Sequence, residues 1–235
     1  TNLFNDVGDF LRGTDAPGRL GPRRATAEGW LTPGMVRAGA WFSFALAFLC
    51  GIYLVAHGGW PIVAIGLASL AAGWAYTGGP RPIAYGPLGE VFVFVFFGLV
   101  AVGGSYYLQT LSITPMALLA GSVVGTHAAA VITVNNYRDH DGDMASGKNT
   151  LAVRLGRVAT RRIYAAEMLA PYALLMPLAG LGWPVTLPFL SLPLAVSLII
   201  RFRRESTGPV FNAILAATAG LQFAFALLLS VAFLL

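Results

Sequence analysis

Residues 113–150 read ITPMALLAGSVVGTHAAAVITVNNYRDHDGDMASGKNT, and this stretch decides the fold. Its first part, 113–134, carries no formally charged side chain and is long enough to cross a hydrocarbon core of about 30 Å as a helix. Its second part, 135–150, holds three aspartates, one arginine and the only lysine of the chain. An uncharged span followed at once by concentrated charge indicates a membrane helix that ends at a polar site.

The composition of the whole chain supports a membrane setting. Of its 235 residues, 57% are hydrophobic and only 11% are charged, and the mean hydropathy is +0.71. A soluble domain carries about a quarter charged residues, so we expect an integral membrane protein in contact with a lipid bilayer. The single Cys50 excludes an intrachain disulfide. The net charge of +5 comes without an aromatic-interleaved basic module, so no nucleic-acid partner is expected.

Apolar runs of spanning length recur along the chain and predict an all-α, polytopic transmembrane helix bundle with seven spans. Their backbones must be helical, because lipid offers no hydrogen-bond partner to a free N–H or C=O group. The predicted spans are roughly 36–56, 60–76, 88–108, 113–134, 163–182, 184–200 and 210–235.

The connections between these spans alternate in charge. The short ones, 57–59, 109–112 and 182–183, contain no lysine or arginine, whereas the long ones carry all fifteen basic residues. The positive-inside rule places the long connections in the cytoplasm. We therefore expect residues 1–37 and 135–162 to lie on the cytoplasmic face of the membrane.

All six aspartates of the chain fall in two cytoplasmic clusters, which also contain asparagines. Asn5 and Asp9 are four positions apart, as are Asp139 and Asp143, and on a helix this spacing puts oxygens on one face. Carboxylate and amide oxygens are ligands that Mg²⁺ prefers, with its shell completed by water and substrate phosphates. The aspartates are Asp6, Asp9 and Asp15 in the first cluster and Asp139, Asp141 and Asp143 in the second.

Two facing clusters of this kind would hold metal around a diphosphate, with Arg138, Lys148 and Arg154 contacting the remaining phosphate oxygens. The alternative is that these stretches are solvated loops, although the other loops contain no aspartate. Two further motif readings fail. Asn149 stands where a phosphate-binding loop needs Ser or Thr, and Met144 stands where a calcium-binding EF-hand loop needs glycine.

The motifs resemble those of the UbiA-type intramembrane aromatic prenyltransferases. The first acidic motif of that family is represented by Asn5, Asp6, Asp9, Gly13 and Asp15. The branch that prenylates 1,4-dihydroxy-2-naphthoate is the most similar, through NDVGDFLRGTD, GPRRA, YTGGPRPIAYGPLGE, FFG and NNYRDHDGDMASGKNTLAVRLG. The resemblance covers residue 2 to about residue 162.

The resemblance implies a single membrane-embedded domain over 1–235, in a bacterial inner (plasma) membrane. Family members have nine spans, so nine are expected in the complete protein, and this chain is expected to lack its N-terminal helix or helices. The implied reaction is Mg²⁺-dependent transfer of a polyprenyl group from polyprenyl diphosphate to 1,4-dihydroxy-2-naphthoate, with loss of CO2, giving demethylmenaquinone. The expected metal ligands are Asn5, Asp6, Asp9, Asp15, Asp139 and Asp143.

The remaining site residues are expected from the same resemblance and from their place at span ends. Asp9, Asp139, Arg138 and Lys148 are the expected catalytic residues. Arg81 is assigned to the carboxylate of the aromatic acceptor, and Glu90 is a further candidate because it is an acid at the edge of a span. The expected substrate-binding residues are Asn136, Arg154, Arg81, Tyr76 and Tyr85, of which the tyrosines could stabilise a cation with their ring faces.

Two alternatives remain open at the level of sequence. The acceptor could be of the 4-hydroxybenzoate or homogentisate type. A membrane transporter is the rival from another class, because two similar polar motifs separated by spans resemble an internal repeat. Against it, transporter sites lie near the bilayer midplane, whereas these aspartates gather at one face.

Overall fold

The computed structural model describes residues 1–13, 20–78, 81–181, 183–206 and 208–235. Within these ranges the regular structure is helical throughout and contains no strand, which confirms the all-α prediction. The α-helices are α1 (Asn2–Leu11), α2 (Pro33–Gly58), α3 (Trp60–Ala75), α4 (Gly89–Val93), α5 (Ala101–Thr110), α6 (Pro115–Arg138), α7 (His140–Ala145), α8 (Leu151–Leu175), α9 (Leu192–Arg204) and α10 (Val210–Leu234).

Threonine caps set the starts of three long helices. The hydroxyl oxygens of Thr32, Thr114 and Thr150 each accept a hydrogen bond from the backbone N–H three residues later. Such a bond satisfies one of the free N–H groups of the first helical turn. In α2 and α6 a proline follows the cap, where its missing N–H costs nothing.

Among the described residues, five helices have the length and apolar composition of a membrane span. The other two predicted spans are helical but fall outside this criterion. The second, α3, has only 16 residues. The fifth begins at Leu151 rather than near 163, because the Thr150 side chain caps an additional, basic segment of helix. This segment joins the apolar part of α8 at a kink, where Gly156 has a φ of 78°. The five spans are Pro33–Gly58, Gly89–Thr110, Pro115–Arg138, Pro184–Arg204 and Val210–Leu234.

Helix α6 lies at the centre of the bundle, against α8, α10 and the span Gly89–Thr110. Residues Phe94–Val100 of that span form a π-helical turn beside α6. The two backbones touch through glycines. A Cβ on Gly125 would lie 2.6 Å from the carbonyl oxygen of Phe94, and one on Gly98 would lie 2.5 Å from the carbonyl oxygen of Gly121. Small residues permit this close approach between membrane helices.

A cluster of aromatic rings anchors the end of α6 that carries the second acidic motif. Tyr137 packs against Phe202 and Phe211, with ring centroids 4.6 and 4.9 Å away, and Tyr164 packs against Phe202 at 4.3 Å. All four side chains are almost fully buried. The motif that follows Tyr137 is therefore mounted on a rigid part of the bundle.

The two ends of the bundle differ in chemistry. At one end, the Tyr107 hydroxyl donates to the carbonyl oxygen of Gly58, and His57 bonds the carbonyl oxygen of Leu108. These contacts join the ends of α2 and α5, where the short uncharged connections lie. The acidic motifs lie at the opposite end, as the alternation of loop charge predicts.

Candidate functional site

The two acidic motifs meet at one lysine. The ammonium nitrogen of Lys148 lies 3.4 Å from Oδ1 of Asp9 and 3.7 Å from Oδ1 of Asp143. Asp9 belongs to α1, whereas Asp143 belongs to α7 and Lys148 follows that helix. The chain turns back there because the backbone N–H of Lys148 donates to the carbonyl oxygen of Asp143 and Gly147 takes a φ of 76°.

Asp9 is held from several sides. Nη1 of Arg24 lies 2.8 Å from its Oδ2, and the Tyr85 hydroxyl donates to its Oδ1 at 2.7 Å. Burial alone would raise the pKa of Asp9. The charge of Lys148, the hydrogen bond from Tyr85 and the charge of Arg24 outweigh burial and hold that pKa below its usual value. Asp9 is thus kept as an oriented carboxylate at low exposure.

The second motif begins with a buried arginine. Nε and Nη2 of Arg138 bind the two carboxylate oxygens of Asp139 at 2.8 and 2.7 Å, and Nη2 also donates to Asn135. Nη1 donates to Oδ1 of Asn212 on α10 at 2.8 Å. A fork of this kind fixes both side chains. Arg138 therefore orients Asp139 and ties the motif to α10.

Asp143 lies in a site that disfavours its negative charge. Burial is the main cause that raises the pKa of Asp143 to about 6. The negative charges of Asp139 and Asp9 also raise this pKa, whereas the positive charge of Lys148 lowers it. Three carboxylates thus face one region. A bound cation would relieve their repulsion.

These residues surround the mouth of a cavity of about 1100 Å³. Its polar part contains residues of both motifs together with Arg24. Its apolar wall lies one or two turns further along the spans. It includes Val131 and Ile132 together with Phe92 and Phe96, whose rings stack with centroids 5.8 Å apart. A charged head group and an apolar chain could occupy the two parts at once.

Residues 1–210 match the UbiA prenyltransferase family. The chain belongs to this family. It is 38% identical over 175 residues to the 1,4-dihydroxy-2-naphthoate octaprenyltransferase of Escherichia coli, an alignment that covers 72% of this chain and 57% of that protein. It is 32% identical over 239 residues to the protein of the same name from Bacillus subtilis, covering 100% of this chain and 76% of the relative.

A more distant relative is the mouse UbiA prenyltransferase domain-containing protein 1, which is 29% identical over 236 residues, covering 97% of this chain and 69% of that protein. The chain spans little more than half the length of some curated relatives that it matches, at 57% for the E. coli protein. Family membership and the apolar spans together identify an integral membrane protein.

In this UbiA-family chain most of the predicted site residues come together. Asn5, Asp9 and Asp143 line the cavity with Lys148, and both members of the Arg138–Asp139 pair do so too. Asp15 lies outside the described residues. The predicted residues that line the cavity are Asn5, Asp9, Tyr76, Asn136, Arg138, Asp139, Asp143 and Lys148.

Two predicted substrate contacts lie elsewhere. Arg154 is exposed on the first turn of α8, and Arg81 is exposed in the loop before α4. Neither lines the cavity. Arg154 follows the cap at Thr150, and the helix turns its side chain toward solvent. The structure thus does not bring these two arginines to the motifs.

Asp6 points away from the cavity. Its carboxylate accepts hydrogen bonds from the backbone N–H groups of Ala25 and Thr26 at 3.0 and 3.3 Å, and a short one from the Thr26 hydroxyl. It is three positions from Asp9 but on the side of α1 that meets this segment. Its oxygens therefore fold residues 25 and 26 onto α1 and are not offered to a metal in the cavity.

Tyr85 does not line the cavity, but it contacts two residues that do, Asp9 and Lys148. The Lys148 ammonium lies 4.7 Å from its ring centroid and the Arg12 guanidinium 5.1 Å away, while its hydroxyl binds Asp9. The ring face is thus already covered by cations. Tyr85 positions Asp9 and Lys148 rather than facing a substrate.

Sequence reasoning did not assign three elements of the site. The first is Arg24, which contacts Asp9 and belongs to the family-like GPRRA segment but has no feature in the sequence that separates it from the other arginines of residues 1–37. The second is the pair Phe92 and Phe96, for which the spacing of four positions in an apolar span is the available signal. The third is the contact between Glu90 and Asn136, which no local pattern predicts.

The residues at the mouth fit a divalent cation that is completed by its substrate. Asn5 Oδ1 is buried and has no hydrogen-bond partner among the described residues, so it is an available ligand next to Asp9. Within that part of the chain, no group of three acidic, histidine or cysteine side chains converges closely enough to hold a metal alone. Mg²⁺ with few protein ligands keeps water and takes phosphate oxygens.

Proposed function

We propose that this chain is the prenyl-transferring domain of a Mg²⁺-dependent enzyme. It transfers a polyprenyl group from polyprenyl diphosphate to 1,4-dihydroxy-2-naphthoate, with loss of CO2 and diphosphate, and gives demethylmenaquinone in its hydroquinone form. The observation that carries the proposal is the meeting of both acidic motifs at Lys148, at the mouth of a cavity with an apolar wall. We further propose that this mouth faces the cytoplasm of a bacterial cell, because the basic loops lie on the same side.

The diphosphate would bind at the mouth. Asn5, Asp9, Asp139 and Asp143 would hold Mg²⁺, which neutralises charge on the departing diphosphate. Lys148 is placed to add a point charge to the same oxygens, since it already bridges two of these carboxylates. Arg138 orients both oxygens of Asp139 by hydrogen bonds, and it would support the site through Asp139 rather than by direct contact with phosphate.

Transfer begins when the bond between the allylic carbon and the diphosphate oxygen breaks and the electron pair leaves with diphosphate. The allylic cation must then be kept from water. Phe92 and Phe96, whose rings stack, line the cavity together with the apolar side chains of Val131 and Ile132. An aromatic face stabilises a desolvated cation by about 2 kcal/mol. The wall thus protects the cation until the acceptor ring attacks.

The acceptor ring attacks through the carbon that carries its carboxylate. The new carbon–carbon bond forms there, the carboxylate leaves as CO2, and its bonding electrons restore the aromatic ring. The first product is therefore the hydroquinone form of demethylmenaquinone. No ring proton has to be removed, so the site needs no general base at that carbon.

The naphthoate is favoured over 4-hydroxybenzoate and homogentisate by two lines of support. The motifs of this chain resemble those of the naphthoate branch, and the E. coli and B. subtilis relatives are both named for that acceptor.

One assay tests the proposal. Membranes carrying the full-length protein receive Mg²⁺, a polyprenyl diphosphate and either the naphthoate, 4-hydroxybenzoate or homogentisate. We expect diphosphate and CO2 in equal amounts with the naphthoate and no turnover with the other two acceptors. Turnover that persists in excess EDTA would contradict the metal requirement, and release of diphosphate without CO2 would contradict the naphthoate reaction.

A further inference from the structure

A buried carboxylate behind the cavity wall has a hydrogen-bond partner on only one of its two oxygens among the described residues. Glu90, near the start of the span Gly89–Thr110, is 6% exposed. Its Oε1 accepts a hydrogen bond of 2.9 Å from Nδ2 of Asn136 on α6. Its Oε2 is buried and has no hydrogen-bond partner among the described residues. Such a group is costly in a membrane bundle and marks function more often than packing.

The amide that Glu90 holds belongs to the cavity. Asn136 lines it together with Gly89 and Tyr76. A Cβ on Gly89 would lie 3.7 Å from the Tyr76 hydroxyl oxygen, so Tyr76, Gly89 and Asn136 form one continuous patch of wall with Glu90 behind it. An amide has one donor and one acceptor side. Because the Glu90 carboxylate accepts a hydrogen bond from Nδ2 of Asn136, Oδ1 of Asn136 is left to accept a hydrogen bond from a group in the cavity.

We propose that Glu90 is a positioning residue that fixes the Asn136 amide, so that its Oδ1 accepts a hydrogen bond from a ring hydroxyl of the aromatic acceptor. This inference rests on the proposed function. The patch would thus bind a neutral hydrogen-bond donor of the substrate, a ring hydroxyl, and Asn136 would be the residue that recognises it.

The position of Asn136 on α6 favours the acceptor over the diphosphate. Asp139 follows it by three residues at the polar mouth, and Ile132 precedes it by four in the apolar wall, so Asn136 lies on the same face between them. This is where the head group and the chain of the donor would join. Asn136 lies on the apolar side of the residues that would hold Mg²⁺ and the diphosphate, so a neutral hydroxyl that donates to Oδ1 suits this position.

The test compares kinetic constants for the two substrates in membranes that carry the full-length protein. In Glu90→Gln the new amide no longer dictates which side of Asn136 faces the cavity. We expect the KM of the naphthoate to rise about tenfold and the KM of polyprenyl diphosphate to stay unchanged, since one hydrogen bond to a substrate hydroxyl is lost. Asn136→Ala should show the same pattern, and the double variant should be no worse than Asn136→Ala alone.

A second readout isolates recognition of the hydroxyl. The wild-type protein should be inhibited about ten times more weakly by an acceptor analogue with methoxy in place of hydroxyl than by the hydroxyl form. Both variants should lose this discrimination. Glu28→Gln is the matched control, because Glu28 is an exposed carboxylate in the loop before α2 that pairs only at 3.7 Å with Arg23.

The outcomes separate this inference from the proposed function. Absence of naphthoate turnover in the wild-type protein contradicts the proposed function. Wild-type turnover together with an unshifted naphthoate KM in Glu90→Gln, or with an equal rise in both KM values, overturns the positioning role. Should Glu90→Gln fail to accumulate in membranes, retained hydroxyl discrimination in Asn136→Ala overturns it as well.

Discussion

Lys148, which follows the second acidic motif, and Asp9 of the first form an ion pair of 3.4 Å at the mouth of the cavity. The same ammonium group reaches Asp143 at 3.7 Å. The pair closes a gap between two carboxylate motifs that would otherwise repel each other. We interpret Lys148 as the cation that joins the two acidic motifs, and under the proposed function its charge would also attract the phosphate oxygens of the donor.

Removal of the Lys148 charge should abolish transfer without loss of the protein. We expect Lys148→Gln to lower kcat/KM for polyprenyl diphosphate about a hundredfold or more, as losses of a single preorganised charge do at other active sites. Arg162→Gln is the control, since Arg162 is an exposed cation on α8. Diphosphate release at equal amounts of inserted protein gives the measurement, and full activity of Lys148→Gln would count against the role of this residue.

Substitution of Asp6 should lower stability and not turnover, unlike substitution of Asp9, although the two residues are only three positions apart. Asp6→Asn replaces one of the two carboxylate oxygens that accept from the backbone N–H groups of Ala25 and Thr26 by an amide NH2 group, which cannot accept. We therefore expect a loss of about 1–3 kcal/mol in the free energy of unfolding and near-normal turnover of the folded protein. Thermal unfolding in detergent and turnover at low temperature measure the two effects. Glu28→Gln in the same segment is the control, and an Asp6→Asn protein that is stable but inactive would contradict the assignment.

Gly125 should be intolerant of a side chain. Its Cβ would lie 2.6 Å from the carbonyl oxygen of Phe94, which is backbone and cannot move aside alone. We expect Gly125→Ala to cost about 1–3 kcal/mol through overpacking. Gly220→Ala on α10 is the matched control, because nothing lies within 4 Å of its Cβ position. Equal melting temperatures for the two variants would show that the helices are not in such close contact.

The aromatic wall should matter for the chemical step. We expect Phe96→Leu to lower kcat about tenfold with little change in the KM of either substrate, because the ring face is needed for the transient cation and not for the neutral ground state. Phe223→Leu is the control, since Phe223 is 72% exposed on α10. A rise in KM with unchanged kcat would instead assign Phe96 to binding of the chain.

Much of the fold follows from the sequence because lipid imposes simple rules. Length, apolar composition and the charge of the loops predicted the spans and their alternation, since a spanning backbone has few choices. The boundary of α8 was missed because the Thr150 cap and the kink at Gly156 are local chemistry that hydropathy does not detect. The motifs were found through spacing that groups side chains on one helix face.

Contacts between distant segments were beyond such reasoning. Spacing placed Asp6 with Asp9, but the partner that takes Asp6 away is Thr26, which a turn in the chain brings back to α1. Arg154 and Arg81 had the right charge in the right loops, yet their side chains are exposed. Arg138 was predicted to meet phosphate, whereas its fork is filled by Asp139 and Asn212. Pairing of this kind depends on how helices pack, not on local pattern.

The central claim is that the two acidic motifs act together on one diphosphate. Its most direct test is the dissociation constant of inorganic diphosphate, measured with Mg²⁺ in the wild-type protein, in Asp9→Asn, in Asp143→Asn and in the double variant. Shared binding predicts at least about tenfold weaker binding in each single variant and no further loss in the double variant. Wild-type affinity in either single variant, or losses that simply add, would contradict the claim.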